Sequence, residues 1–165
     1  MNRDALLAAL QPVLDVVRTV DPRDPAAAVR ALDERLPPDG EVLRGIRALV
    51  RAGVEARWIC ERENGSVRWS RVARDAGGLS IDAVHMSTEG AAHVHPGGEI
   101  DLAFAVSGEP RFDGRPAGWT VYPPGSWHVP TVEGGAMDIL YFLPGGAIQF
   151  GPRPDGATGV GLQAE

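Results

Sequence analysis

Apolar residues recur at helical spacing through the first third of the chain. Leu6, Leu7, Leu10, Val13, Leu14 and Val17 follow that spacing, with Pro12 placed to kink the segment. Asp24-Pro25 offers a capping side chain and then a proline for the first turn of a second helix, AAAVRALDERL, which Pro37-Pro38 ends. Val42, Ile46, Leu49 and Val50 mark a third helix, expected to close near Gly53. The pattern then changes. ARWICERE and VRWSRVARD flank Asn64-Gly65, a dipeptide favoured in tight hairpin turns, so a hairpin is predicted here with Arg57 and Cys60 on its first strand. LSIDAVHM, EIDLAFAV, GWTVYPP, MDILYFL and AIQF follow as short strands separated by Gly and Pro, with no helices between them. The chain is therefore expected to be mainly β, a sandwich or barrel behind an N-terminal helical section. We expect helices over 1–54 packed on a barrel over 55–151, and a tail over 152–165 with little regular structure. The helices either cover a sheet or pair two subunits; their apolar faces are available to a homo-oligomer, and a monomer is the alternative.

Composition sharpens this picture. The chain has 165 residues, enough for one domain with a hydrophobic core. Gly and Pro are abundant, and most of them fall after residue 77, among the predicted strands. With 44% hydrophobic residues and a net charge of −6, the excess reads as the corners of a barrel, not as disorder. Every basic residue is Arg, which excludes lysine Schiff-base chemistry and a Walker-type phosphate lysine. An acidic balance without a basic block argues against nucleic acid as a partner. The single Cys60 excludes an intrachain disulfide and a multi-cysteine metal cluster, and is expected to be a small buried apolar residue. No apolar run is long enough for a membrane span, and the N-terminus makes a poor secretory signal, so a cytoplasmic location is expected.

Three of the four histidines fall in one pattern. His93-Val-His95-Pro-Gly-Gly-Glu99 precedes a predicted strand, and Pro123-Pro-Gly125-Ser-Trp-His128 follows it. Residues two apart on a strand share a face, so His93 and His95 project together. Glu99 joins them if the Pro96-Gly97-Gly98 bend keeps the parity, and a return strand can bring His128 opposite. Three imidazoles and a carboxylate suit a divalent Fe, Mn, Ni, Cu, Co or Zn ion, and ligand type alone does not choose among them.

His-x-His-x3-Glu followed by Pro-x-Gly-x2-His resembles the two-part motif of the cupins, small β-barrels of jelly-roll type. Where that motif closes with Asn after three further residues, this chain has Val132. HPGGEIDLAFAV, RFDGRPAGWTVYPPGSWHVPTV and MDILYFLPGGAIQF, behind a helical section, are similar to the 4-hydroxylaminobenzoate lyase family. That resemblance implies a lyase acting on a small aromatic substrate. The implied reaction converts 4-hydroxylaminobenzoate to 3,4-dihydroxybenzoate and ammonia in nitroaromatic degradation, with no organic cofactor. The alternatives are another metal-dependent cupin enzyme, such as an aromatic-ring dioxygenase or an isomerase, and a non-enzymatic small-molecule binder.

Such a reaction needs an acid, an activated water and a hold on the benzoate. Metal ligands would be His93, His95, Glu99 and His128. Asp101 continues the parity of Glu99 and is expected to face the interior, as a general acid or base or as a structural hydrogen-bonding residue. Glu99, Asp101 and His128 are the expected catalytic set, with Glu99 itself the acid or base if no metal is held. Tyr122 is placed to donate a phenolic hydrogen bond or to pack. For the substrate carboxylate, Arg57, Arg68 and Arg71 lie on the early predicted strands; Arg68 and Arg71 have opposite parity, so at most one of those two faces inward. His85, outside the motif, is a satisfied barrel histidine or a second proton carrier.

Overall fold

The computed structural model describes residues 1–155 and the backbone of Thr158 and Gly159. Four helices come first: α1 (Arg3–Ala9), α2 (Gln11–Val17), α3 (Pro25–Arg35) and α4 (Glu41–Glu55). The Asn2 side chain caps α1 by accepting from Ala5 N–H, and Pro12 sits in the first turn of α2, where the segment splits. Asp24 caps α3 by accepting from the Ala27 N–H at 3.1 Å. Two details of α4 differ from expectation. Its buried stripe runs through Leu43, Ile46, Val50 and Val54, leaving Val42 exposed. Gly53 does not end the helix. A Cβ there would come within 2.9 Å of Ile59 and Trp58, so the glycine admits the chain that folds back over the last turn.

The strands are β1 (Arg62–Asn64), β2 (Val67–Ala73), β3 (Leu79–Met86), β4 (His93–His95), β5 (Glu99–Phe112), β6 (Gly118–Tyr122), β7 (Ser126–His128), β8 (Val132–Pro144), β9 (Gln149–Phe150) and β10 (Thr158–Gly159). The first hairpin begins later than predicted. Residues 56–60 form turns, and the two-residue loop is Gly65-Ser66, because Asn64 still pairs with Val67. Arg57 and Cys60 therefore lie off any strand, both with positive φ. In the tail, Thr158–Gly159 runs parallel to Ser126–Trp127 as β10, while residues 156–157 and 160–165 lie outside the described residues.

A six-stranded antiparallel sheet has the order β1-β2-β3-β8-β5-β6, and a smaller sheet has the order β10-β7-β4-β9. From β3 onward the chain passes repeatedly between the two, a winding of jelly-roll type. Alternation gives the large sheet two buried faces. Ile81, Ile100, Leu102, Phe104, Trp119, Leu140 and Phe142 pack with the helices, including Leu6, Leu14, Leu32 and Ile46. The opposite face carries Ala103, Tyr122, Ile139, Tyr141 and Leu143, which form the interior between the sheets with Met86, Phe112 and Met137. Burying both faces explains why β5 begins with six consecutive buried residues. The same alternation separates function from packing, since Glu99 and Asp101 interleave with helix-facing Ile100 and Leu102. Among the described residues, no helix is long and apolar enough to cross a membrane.

Candidate metal centre

β4 is only three residues long, and both its histidines are buried. β7 pairs antiparallel with it in a register that sets His93 directly opposite His128. After His95 the chain turns through Pro96-Gly97-Gly98. Gly98 takes φ +92, where a Cβ would crowd Pro22 and the Tyr122 carbonyl, and the chain enters the large sheet at Glu99. Glu99 thus reaches the cluster from the facing sheet. Its Oε2 lies 3.0 Å from His128 Nε2, 3.2 Å from His95 Nε2 and 3.6 Å from His93 Nε2.

The Nδ1 atom of each ring is already engaged. His93 Nδ1 meets the Ala91 carbonyl at 3.0 Å, His95 Nδ1 the Ala147 carbonyl at 3.1 Å, and His128 Nδ1 the Asp113 carboxylate at 2.7 Å. An acceptor at Nδ1 selects the tautomer that leaves the Nε2 lone pair free. Those lone pairs converge, with His93 Nε2 and His128 Nε2 only 3.0 Å apart. Two such acceptors face one another favourably only across a proton or a cation. One donor atom each from His93, Glu99 and His128 lies within 4.8 Å of the others, and these residues can hold a metal ion. The donor set and its oriented rings fit a divalent transition ion.

The charges are coupled. Burial alone would favour protonated Glu99, but His128 and His95 hold its carboxyl well below the usual range. Burial lowers His95 despite Glu99. Burial also opposes charge on His128, yet Glu99 and Asp113 outweigh it and raise its pKa to about 10.

Asp101 sits one alternation beyond Glu99, fully buried; a proton on it can bond to the Glu99 carboxylate, and among the described residues no N–H or hydroxyl donor serves either Asp101 oxygen. Burial, followed by the negative Glu99, pushes its carboxyl well above the ordinary range. Glu99 Oε1 is likewise buried and meets no N–H or side-chain hydroxyl among the described residues. A proton shared between the two carboxyls pairs one oxygen of each, and the remaining Asp101 oxygen is open to a ligand.

Asp113 is a site residue that sequence reasoning missed. Its Oδ2 accepts from the Tyr122 hydroxyl at 2.5 Å and meets His128, while its Oδ1 accepts from the Thr131 N–H at 2.8 Å. Within RFDGRP it looks like an ordinary Asp-Gly turn, and it does adopt φ +48. The available signal was the need for an acceptor behind His128. Tyr122 packs its ring against His128 at 4.5 Å, and Arg115 Nη1 donates to its hydroxyl at 3.1 Å.

The arginine expectations need correction. Arg57 is exposed and paired with Glu63. Arg68 points to the helical side, where it donates to the Val54 and Cys60 carbonyls at 2.9 and 3.1 Å. Neither is directed into the interior between the sheets; Arg71 is, because it pairs with Asp82 on that face. His85 is also on the helical side, 2.7 Å from Asp138, which Arg51 contacts as well. A cleft of about 420 Å³ near Val17, Arg23, Leu79 and Ile100 contains none of the motif side chains.

Comparison with known proteins places this geometry in a family. The family model for 4-hydroxylaminobenzoate lyase matches residues 11–150. A 4-hydroxylaminobenzoate lyase of Pseudomonas putida is 30% identical over 142 residues, covering 73% of this chain and 81% of that protein. One of the same name from Nocardioides sp. (strain LMS-CY) is 32% identical over 136 residues, covering 74% and 80%. Among solved structures, an RmlC-like cupin protein from Ralstonia eutropha JMP134 aligns with TM-score 0.41 and 16% identity, over 57% of this chain and 65% of that one. A salicylate 1,2-dioxygenase from Pseudaminobacter salicylatoxidans aligns with TM-score 0.41 and 12% identity, over 62% and 35%. With the family model spanning nearly the whole described chain, this protein belongs to the 4-hydroxylaminobenzoate lyase family and is a lyase.

Proposed function

We propose that the protein converts 4-hydroxylaminobenzoate to 3,4-dihydroxybenzoate and ammonia. The observation that carries this reading is Asp101, a fully buried carboxyl beside Glu99 and the three convergent histidines, which burial and the negative Glu99 push well above the ordinary carboxyl range. The overall conversion consumes one water and involves no external oxidant. Protonation of the hydroxylamine oxygen lets the N–O bond break with loss of water, leaving the ring electron-poor. A second water adds at the carbon beside the nitrogen-bearing one, and a third replaces the nitrogen as ammonia.

In this reading Asp101 delivers the proton to the departing hydroxyl and takes one back from the attacking water. His93, His95, Glu99 and His128 would hold a divalent ion, which when bound would supply Lewis acidity and lower the pKa of water. Asp113 keeps the His128 ring oriented, and the apolar interior around Ile139, Tyr141 and Leu143 limits bulk water. The test is anaerobic incubation with 4-hydroxylaminobenzoate, following ammonia and 3,4-dihydroxybenzoate in the wild type and in His93→Ala and His128→Ala. Release by the wild type alone supports the proposal. Full activity in either variant overturns the site, and strict dependence on oxygen would replace the lyase chemistry with a dioxygenase.

A further inference from the structure

The register of the large sheet lines up four polar side chains in one row across its interior face. Arg71 on β2 pairs with Asp82 on β3, Asp82 with Tyr141 on β8, and Tyr141 with Asp101 on β5. Paired residues in a sheet share a face, and neighbouring strands lie about 4.8 Å apart. The row therefore runs roughly 14 Å from Arg71 to Asp101, measured between backbone positions. Exposure falls steadily along it. The Arg71 side chain is 35% exposed and that of Asp82 21%, Tyr141 is 6% exposed and Asp101 0%. One end meets solvent and the other lies beside Glu99.

Two features of this row call for a ligand. At the inner end, Asp101 meets the Glu99 carboxyl but no N–H or hydroxyl donor among the described residues. At the other end, Asp82 grips only one edge of the Arg71 guanidinium, through Nε at 2.6 Å and Nη2 at 3.2 Å. Nη1 has no hydrogen-bond partner among the described residues. It points toward Gly146, whose neighbour Ala147 accepts the His95 ring N–H. A guanidinium fixed along its side edge keeps its end edge available for a second carboxylate.

The geometry points to Arg71 as the anchor for the carboxylate of an aromatic acid whose reacting group lies at Asp101, with Asp82 as its positioning residue. This assignment rests on the lyase reading for the identity of the reacting group, but the carboxylate hold is separable from it. A para-substituted benzoate places its two polar ends on opposite sides of an apolar ring. The row has the same order: a fork at the mouth, Tyr141 along the wall and the carboxyl at the bottom. Arg71→Gln removes the fork, and Arg71→Lys keeps a charge without it.

The experiment measures calorimetric binding of 4-aminobenzoate and of its neutral analogue 4-aminobenzamide to wild type, Arg71→Gln and Arg71→Lys. Thermal melts confirm that each variant is folded. The wild type should favour the carboxylate, and Arg71→Gln should weaken its binding roughly tenfold to a hundredfold while leaving the amide little changed. Arg71→Lys should recover only part of the preference. Equal loss for both ligands, a preference that survives in Arg71→Gln, or no carboxylate preference in the wild type overturns the assignment. Carboxylate-selective binding without turnover of 4-hydroxylaminobenzoate would leave Arg71 in place and count against the lyase reading alone.

Discussion

Asp113 Oδ2 lies 2.7 Å from His128 Nδ1, on the opposite side of the ring from the nitrogen that faces Glu99. A carboxylate behind a ligating imidazole fixes its tautomer and raises its basicity. In Asp113→Asn the amide oxygen can still serve the Thr131 N–H, but the amide nitrogen then meets a ring nitrogen that also carries hydrogen. The His128 ring is expected to lose its preferred tautomer. Competition with a chelating dye should show metal affinity falling roughly tenfold to a hundredfold. Unchanged affinity would mean that Asp113 only supports the turn.

Asp101 is costly to the fold as it stands. Burial and the negative Glu99 beside it both penalise charge on Asp101, a penalty that a neutral amide of the same shape avoids. Asp101→Asn should therefore melt at the same temperature as the wild type or higher, while kcat falls roughly 10²- to 10⁴-fold. A variant with normal kcat and a lower melting temperature would make Asp101 a structural residue.

Much of this arrangement was legible from residue order. The spacing of His93, His95, Glu99 and His128 implied a shared face, and alternation through Glu99, Ile100 and Asp101 implied an inward carboxyl. The turn between Gly53 and Arg62 was not legible. Trp58, Ile59 and Cys60 look like a strand because they are large or apolar. They are buried by folding back on α4, a tertiary contact that local pattern cannot express. Asp113 was hidden for a related reason. Its partners His128 and Thr131 lie 15 and 18 residues away, and their meeting depends on how β5 and β8 pair.

Cys60 gives a pH prediction with a definite sign. Burial, followed by the nearby Asp138, raises its thiol from an ordinary 9.0 to about 12. Between those values the folded protein retains a proton that the unfolded chain releases, so stability falls as pH rises. The contribution is fully present below pH 9 and is lost toward pH 12. Urea unfolding of wild type and Cys60→Ala should diverge in slope from pH 9 upward, with the wild type losing stability faster. Iodoacetamide at pH 8 should label only unfolded protein. Rapid labelling of the native state would contradict the buried placement.

Arg68 separates a structural arginine from a substrate-binding one. Its guanidinium donates to the Val54 carbonyl at the end of α4 and to the Cys60 carbonyl in the following turn. Terminal helix carbonyls lack intrahelical partners, and a cation there also meets the negative end of the helix. Removing the side chain takes a donor from each carbonyl, leaves Val54 with only the Arg57 N–H at 3.3 Å, and loosens the turn that covers α4. Arg68→Met should lower stability by about 2 kcal/mol in denaturant unfolding. Because the side chain points away from Glu99 and Asp101, KM for an aromatic carboxylate should stay within twofold of the wild-type value, as a roughly order-unity effect. A marked rise in KM with unchanged stability would return Arg68 to the substrate site and displace Arg71 from it.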